Sequence, residues 1–507
     1  MKKPYYIILL FISFFSYAQR DVGKVQVLIS KPTDVNVISD TLGTQAYLFQ
    51  SKKQFQLSIL DNQYQTQKNI IINLQKPDKN EVVLGSIIHK EEVVVHLFNS
   101  KSRQLSSLKI NRSTGSHVFN KIGIFGLNDQ YLSSFEINGH FYLLTVPSGT
   151  NALKVWKSDR GADFELKDYN IEYPEFYKSL ISNNNSLSRG SFSKANIEMV
   201  SYELENNIKS THSNKKLYVL DGKIIMTFDT PEGTNLITID PEEGTSEYKK
   251  MNFKIERGNT ASSKQGNSFI YEKTLFRVTA SPKQLNLSII NLDSMELLNN
   301  YNIFPESPIG INNGPIFSEN SRAQVDEIDI VNKPTKFFKN LMAGELAIAV
   351  NKVDSSRHEL HIGSYQEYIA RNSGSAWGGP EMSVGFGSFY GPMGMGMGGM
   401  GMGMGGGGFY GAYGQGFYGW PGYYPYYGTA NKRIKTVYFK SLMNTPYFDH
   451  EEGNVPKSLR EKIIDFEQVA FRSNTPEFIR IIPQQDKVLL GYYIKGRKMY
   501  KLVEFQK

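Results

Sequence analysis

The chain has 507 residues, 57 Lys and Arg against 49 Asp and Glu, a formal charge of +8, and no cysteine. The missing thiols exclude a disulfide framework, a thiolate metal site and a lipid-modified cysteine. Stability must therefore come from a buried core, for which the length allows one large or two medium domains. The basic excess has no dense Lys/Arg block, so it points to anionic surfaces or acidic glycan and not to nucleic acid.

The first residues read MKKPYYIILLFISFFSYAQ. Lys2 and Lys3 form a basic start, Tyr5 to Phe15 an apolar run, and Ser16-Tyr17-Ala18 a small-residue cleavage site. This pattern predicts a secretory signal peptide over 1–18, cut after Ala18. The apolar run is too short for a membrane anchor, and no later stretch is long and apolar enough to add a transmembrane helix. The SYAQ ending resembles signal peptides of Bacteroidota, in which Gln often begins the mature chain. That resemblance implies export to the periplasm or cell surface of a Gram-negative bacterium.

Beyond the signal, short β runs alternate with polar turns. Gly23 to Ser30 reads as an isolated strand. Ala46 to Asn73, Val93 to Phe119, His140 to Ile171, Lys223 to Phe253 and Thr274 to Ile303 each read as inner strand, hairpin, middle strand, turn and outer strand. Ile224, Met226 and Phe228 alternate on one face in the fourth of these. Its turns, Pro231-Glu232-Gly233 and Pro241-Glu242-Glu243-Gly244, use glycine for a positive φ. Glu345 to Tyr365 is a partial copy and Lys487 to Phe505 a terminal one. Two middle strands repeat Leu-Ser-Ile, at Leu57 to Ile59 and Leu287 to Ile289.

Adjacent copies recur every roughly 45 to 50 residues, the period of propeller blades. One small sheet cannot bury both faces, whereas copies stacked around an axis can. The copies resemble β-propellers as a class, without a WD dipeptide, a kelch glycine pair or an Asp-box. The expected fold is all-β, a propeller of about seven blades with a disordered Gly/Met/Tyr-rich insertion; tandem β-sandwiches are the alternative. The isolated strand 23–30 is expected to close the ring by pairing with the C-terminal end. The expected divisions are 1–18, a signal peptide; 19–370, blades; 371–433, a low-complexity insertion; and 434–507, the final strands and a short helix.

Three connections exceed a blade turn. Glu172 to Asn196 predicts a short helix and a polar loop, and Phe304 to Asn340 is a Pro- and Asn-rich connection. The third, Arg371 to Arg433, is a tract in which Glu381 is the only charge between Gly374 and Gly428. Later, Val455 to Phe471 predicts a helix starting near Pro456, with Leu459, Ile463, Phe466 and Val469 or Ala470 on its buried face.

Familiar catalytic constellations are missing from the sequence, so no catalytic residues and no cofactor are assigned. Gly396 to Gly401 fits G-x-G-x-x-G only because the tract is half glycine. His358 and His361, three apart on a strand, point to opposite faces and read as two unrelated surface histidines. The tract has three readings. Met393, Met395, Met397, Met400, Met402 and Met404 are soft thioethers that could wrap Cu(I), without His or Cys co-ligands. Phe409, Tyr410, Tyr413, Phe417, Tyr418, Trp420, Tyr423, Tyr424, Tyr426 and Tyr427 are aromatics able to stack on a partner protein or glycan. The third reading is a tolerated low-complexity loop. The leading expectation is an exported, non-catalytic interaction protein of the cell envelope that binds a partner protein or glycan and no nucleic acid. A propeller-type glycan hydrolase or lyase with its site in the central channel is the alternative, and a Met-rich copper-binding protein the second.

Overall fold

The computed structural model describes residues 19–39, 44–74, 81–99, 101–124, 129–159, 163–181, 195–253, 265–322, 325–369, 432–471, 476–484 and 486–506. Among them no helix is long and apolar enough to cross a membrane.

The strands make seven separate sheets. The first strand, β1 (Gln19–Gln26), belongs to the last sheet and is taken up below. Blade 1 is β2 (Asp34–Ser39), β3 (Gln45–Gln50), β4 (Gln54–Leu60) and β5 (Thr66–Asn73), side by side in that order. Blade 2 is β6 (Glu81–Ile88), β7 (Glu92–Asn99), β8 (Gln104–Asn111) and β9 (His117–Ile124). Blade 3 is β10 (Gln130–Ile137), β11 (His140–Val146), β12 (Ala152–Ser158) and β13 (Glu165–Asn170), followed by α1 (Phe176–Leu180). Blade 4 carries β14 (Glu198–Val200) in parallel on its inner edge, then β15 (Lys215–Leu220), β16 (Lys223–Asp229), β17 (Gly233–Asp240) and β18 (Thr245–Asn252). The short α2 (Ile208–Thr211) lies between β14 and β15. Blade 5 is β19 (Gln265–Tyr271), β20 (Thr274–Ser281), β21 (Gln284–Asn291) and β22 (Leu297–Ile303).

Blade 6 is entered from its outer side. The hairpin β23 (Ile316–Arg322) and β24 (Val325–Val331) comes first, then α3 (Pro334–Ala343), then β25 (Glu345–Lys352), β26 (Arg357–Ile369), β27 (Lys432–Asn444) and β28 (Asp449–His450). Across the sheet the order is β24-β23-β27-β26-β25. Blade 7 holds β29 (Glu477–Pro483), β30 (Lys487–Ile494) and β31 (Met499–Gln506), preceded by α4 (Leu459–Ala470). Its fourth strand is β1, antiparallel to β31 from Gln19↔Phe505 to Gln26↔Met499.

This pairing joins the two ends of the chain and makes the seven sheets one closed β-propeller. It excludes tandem sandwiches, in which strands 480 residues apart would have no reason to share a ladder. The first strands of neighbouring blades touch, β2 with β6, β6 with β10, β2 with β29 and β19 with β25, so they form the inner wall. Outer strands such as β9 are largely exposed.

The core fills the seams between blades. Phe55 and Leu57 pack with Val93 and Val95 between blades 1 and 2. Leu144 and Leu153 pack with Met226 and Ile237 between blades 3 and 4. Val25, Tyr47, Tyr500 and Leu502 fill the closing seam. Each such side chain contributes roughly 1.5–3 kcal/mol on burial.

The turns between third and fourth strands share one device. Asn111, Asp240 and Asn291 each accept two backbone N–H groups, two and three residues on. The residue after that takes a left-handed conformation: Gly115 at φ +82°, Gly244 at +75°, and Met295 at +62°. Asx side chains and left-handed residues are standard turn chemistry.

Four expectations need correction. In six blades the strand read as innermost is the second one; the true inner strands β2, β6, β10, β15, β19 and β29 precede it. The connection 304–340 is not a plain linker, since it holds β23, β24 and the start of α3. The last helix starts at a capping box, with Ser458 Oγ accepting from Glu461 N–H and the Glu461 carboxylate accepting from Ser458 N–H, not at Pro456. Its buried face is Leu459, Arg460 and Ile463, with Phe466 half-buried and Val469 exposed.

Candidate functional site: an inter-blade strap and an extended ribbon

The segment 201–214 leaves the innermost edge of blade 4 after β14 and returns to it at β15. On the way it touches three other blades. Met199, just before it, accepts a hydrogen bond from Ser133 Oγ of blade 3 at 3.2 Å. The Tyr202 hydroxyl donates to the Ile270 carbonyl of blade 5 at 2.6 Å, its ring packed among Tyr218, Phe269 and Tyr271. Leu204 joins the core of blade 7 with Leu459, Ile481 and Val503. Glu205 accepts the backbone N–H groups of Leu459 and Arg460 at the start of α4, at 2.8 and 3.2 Å. Asn206 N–H donates to Asn351 Oδ1 of blade 6 at 2.6 Å, and Asn351 Nδ2 donates back to the Asn206 carbonyl at 2.8 Å.

Asn207 then caps α2, accepting from Lys209 N–H at 2.8 Å, while Ser210 Oγ accepts from Asn207 N–H at 3.0 Å. This reciprocal cap holds a one-turn helix that propensity alone would not form. Ile208 packs on Ala347 and Tyr438, and Asn206 through Thr211 are all buried. The strap thus runs from blade 4 to the seam of blades 6 and 7.

At that seam the charges converge. Glu319 on β23 accepts from Arg460 Nη1 at 3.2 Å and Nη2 at 3.1 Å, and from the Tyr438 hydroxyl at 2.6 Å. Lys209 Nζ of the strap lies 3.4 Å away. Burial alone would raise the Glu319 carboxyl, but Arg460 and Lys209 outweigh it and hold the group far below the ordinary range. Beside it Glu359 accepts from Lys440 at 3.1 Å and pairs with His361 Nε2 at 2.7 Å. Burial opposes that charge too, yet His361 and Lys440 bring the Glu359 pKa down to about 2. Lys440 also reaches Glu461 of α4 at 3.3 Å. Carboxylate, imidazole and guanidinium groups therefore meet here, but around one another: the side chains of Glu319, Glu359, His361, Lys440 and Lys209 are all at least nine-tenths buried. Their chemistry is cohesion between strap, helix and blade.

His358 points away from this cluster, against Tyr271 and Phe448 at 5.0 and 5.6 Å between ring centres. The two histidines diverge as strand geometry requires. They are not surface groups, however; both are buried.

The tract emerges from blade 6. Strands β26 and β27 have thirteen residues each and pair without a break from Arg357↔Asn444 to Ile369↔Lys432. The inner neighbour β25 stops at Glu345↔Tyr365, so the pairs Gln366↔Lys435 to Ile369↔Lys432 extend past it as a ribbon. At its root His212, from the strap, stacks on Tyr365 at 3.8 Å and 18°. His212 Nδ1 lies 3.0 Å from the Lys209 carbonyl. Burial, with Lys216 nearby, lowers His212 to about 4, so the ring is neutral at pH 7. The Tyr365 hydroxyl donates to Glu367 at 3.3 Å.

Residues 370–431 connect two ladder partners, whose Cα atoms in such a pair lie about 5 Å apart. The tract therefore leaves and returns at one point. All ten aromatic candidates, Phe409 to Tyr427, and the Met393 to Met404 candidates lie outside the described residues, as does the signal segment 1–18. Among the described residues no group of three or more His, Asp or Glu is placed to hold a metal ion. The strap and its partners were not found by sequence reasoning. Asn-Ile-Lys-Ser carried a capping pattern, but Glu319 and Arg460 lie more than a hundred residues away and nothing local marks them.

The chain matches no protein-family model and no curated protein sequence. Among solved structures it is similar to an uncharacterized protein from Listeria monocytogenes, with 12% identity, 68% of this chain and 82% of that chain covered and a TM-score of 0.29. A subtype N10 neuraminidase-like protein of a bat influenza virus gives 10% identity, 68% and 95% coverage and a TM-score of 0.26. The WD40 domain of SCAP from fission yeast gives 11%, 66% and 74%, and 0.27.

Proposed function

We propose that this is an exported, non-catalytic interaction protein of the bacterial cell envelope, a rigid propeller that binds a partner protein or glycan. The observation that carries this reading is the ribbon of blade 6, where β26 and β27 run past β25 and hold the inserted tract between register partners. The converging charges of Glu319, Arg460, Lys209, Glu359 and Lys440 are spent on one another in the seam of blades 6 and 7. What the fold offers outward is the ribbon of blade 6, with a Gly/Met/Tyr tract inserted between register partners Ile369 and Lys432. A tract anchored in this way can reach a partner without disturbing any blade. Its aromatics from Phe409 to Tyr427 supply the contact, since rings bury large area on sugars or peptides.

The test is co-purification from native envelopes, comparing tagged full-length protein with a form lacking Gly374 to Gly428. A partner held by the first and lost by the second is the expected result. Identical partners with both forms, or turnover of an envelope glycan by the purified protein, would overturn the reading.

A further inference from the structure

The chain has no cysteine, so no disulfide can fasten one blade to the next. A different pair of side chains is placed for a covalent bond in the seam of blades 4 and 5. Lys216 on β15 and Asn267 on β19 are both fully buried, 51 residues apart in sequence. Lys216 Nζ donates to Asn267 Oδ1 at 2.9 Å and to the Ser213 carbonyl at 2.5 Å. Asn267 Nδ2 donates to that same Ser213 carbonyl at 3.2 Å and to the His212 carbonyl at 3.1 Å. One carbonyl at the end of the strap therefore holds the amine and the amide nitrogen side by side. The amide carbon lies one C=O bond, about 1.2 Å, behind the oxygen that Nζ touches.

The surroundings suit reaction of that amine. Tyr218 and Phe269, the next residues on the two strand faces, belong to the buried core of this seam. Burial pulls the Lys216 ammonium toward its neutral form, against the attraction of Asp229 and Glu198. A desolvated lysine amine is a nucleophile. Asp229 lies on the same face of blade 4, two residues beyond Thr227, the register partner of Lys216. It accepts from Ser268 N–H at 2.7 Å and Ser268 Oγ at 2.9 Å, which fixes its carboxylate beside the residue after Asn267. A carboxylate held there offsets the positive charge that Nζ gains as it attacks. The fold has already brought amine and amide together, so no encounter has to be found.

We propose that Lys216 and Asn267 join in an isopeptide bond that ties blade 4 covalently to blade 5. The Nζ lone pair forms a bond to Asn267 Cγ and the Cγ–Nδ2 bond breaks. One Nζ proton passes to Nδ2, which leaves as ammonia. Nothing is oxidised or reduced, and no co-reactant enters. Lys435 Nζ makes the same kind of contact with Asn340 Oδ1, also at 2.9 Å, but both residues are only half-buried. Water keeps that amine charged, and the pair stays unlinked.

The test is peptide mapping of the purified full-length chain by mass spectrometry after denaturation and trypsin. A linked Lys216 resists cleavage, so residues 216–223 should appear joined to residues 265–273, about 17 Da lighter than their sum, the mass of the lost ammonia. Fragment ions should place the branch at Lys216 and Asn267. Asn267→Asp should give a branched peptide of the same mass, because water leaves in place of ammonia, and Asn267→Ala should give none. The proposal is overturned if the unaltered chain yields 217–223 and 265–273 as separate peptides, which would leave the pair a hydrogen bond only. It is also overturned if the branched species persists in the N267A form.

Discussion

Replacing His96 by phenylalanine should stabilise the protein, and increasingly so in acid. His96 sits on β7 in the seam of blades 2 and 3, with no exposed surface. Its ring stacks on Phe141 at 3.9 Å and meets the edge of Phe164 at 5.5 Å, and among the described residues neither ring nitrogen has a hydrogen-bond partner. Burial lowers its pKa from 6.5 to about 3. Below pH 6.5 the unfolded chain therefore takes up a proton that the folded chain refuses until about pH 3. Folding then loses about 1.4 kcal/mol for each pH unit, or about 5 kcal/mol across the 3.5 units between 6.5 and 3. Phenylalanine keeps the stacked ring and removes both the proton and the unpaired N–H, whose burial costs about 1–3 kcal/mol even at pH 7. Urea denaturation of both forms between pH 7 and 4.5 reads the effect. The gain from H96F should be about 1–3 kcal/mol at pH 7 and should grow by about 1.4 kcal/mol per unit below pH 6.5. Taking the difference between the two forms cancels the other titrating groups they share. A gain that does not change with pH, or a His96 ring that titrates near 6.5 by NMR, would refute the reasoning.

Glu319→Gln should cost about 3–5 kcal/mol, because it leaves Arg460 and Lys209 buried without their shared carboxylate; an unchanged denaturation midpoint would show that the seam of blades 6 and 7 does not depend on this cluster. Removing Gly374 to Gly428 should leave thermal unfolding cooperative and its free energy within about 1 kcal/mol, since loop length enters closure entropy only logarithmically; loss of the cooperative transition would mean the tract is part of the blade. Val25→Asp places a carboxylate in the closed seam beside Tyr47 and Tyr500 and should destabilise by about 3 kcal/mol or more, with faster amide exchange in β31 than in β21. Equal exchange in the two strands would mean that β1 does not close the ring.

What could be read in the chain follows from what each strand packs against. Second and third strands such as β3 and β4, β16 and β17, are covered on at least one face by neighbouring blades, so they carry the apolar alternation and the Asx turns that mark a repeat. Inner strands are harder to read: Gln-Tyr-Leu-Ser-Ser-Phe-Glu-Ile in β10 and Gln-Gly-Asn-Ser-Phe-Ile-Tyr in β19 mix buried polar and apolar residues and carry little alternation. They were left outside the repeat unit, which was placed one strand too far out. Blade 6 was half visible for a different reason. Its inner pair is a clear copy, but its outer strands precede it in sequence, and the edge strand β24 leaves even Ile328 and Ile330 exposed, so it carries no apolar face to read. The start of α4 was legible and overlooked: Ser458-Leu459-Arg460-Glu461 is a capping-box pattern, more specific than the proline two residues earlier. The strap is another matter. Glu205 finds the N–H groups of α4 more than 250 residues on, and Lys209 finds Glu319 more than 100 residues on. Each is an ordinary polar residue in its local context, and only ring closure gives it a partner.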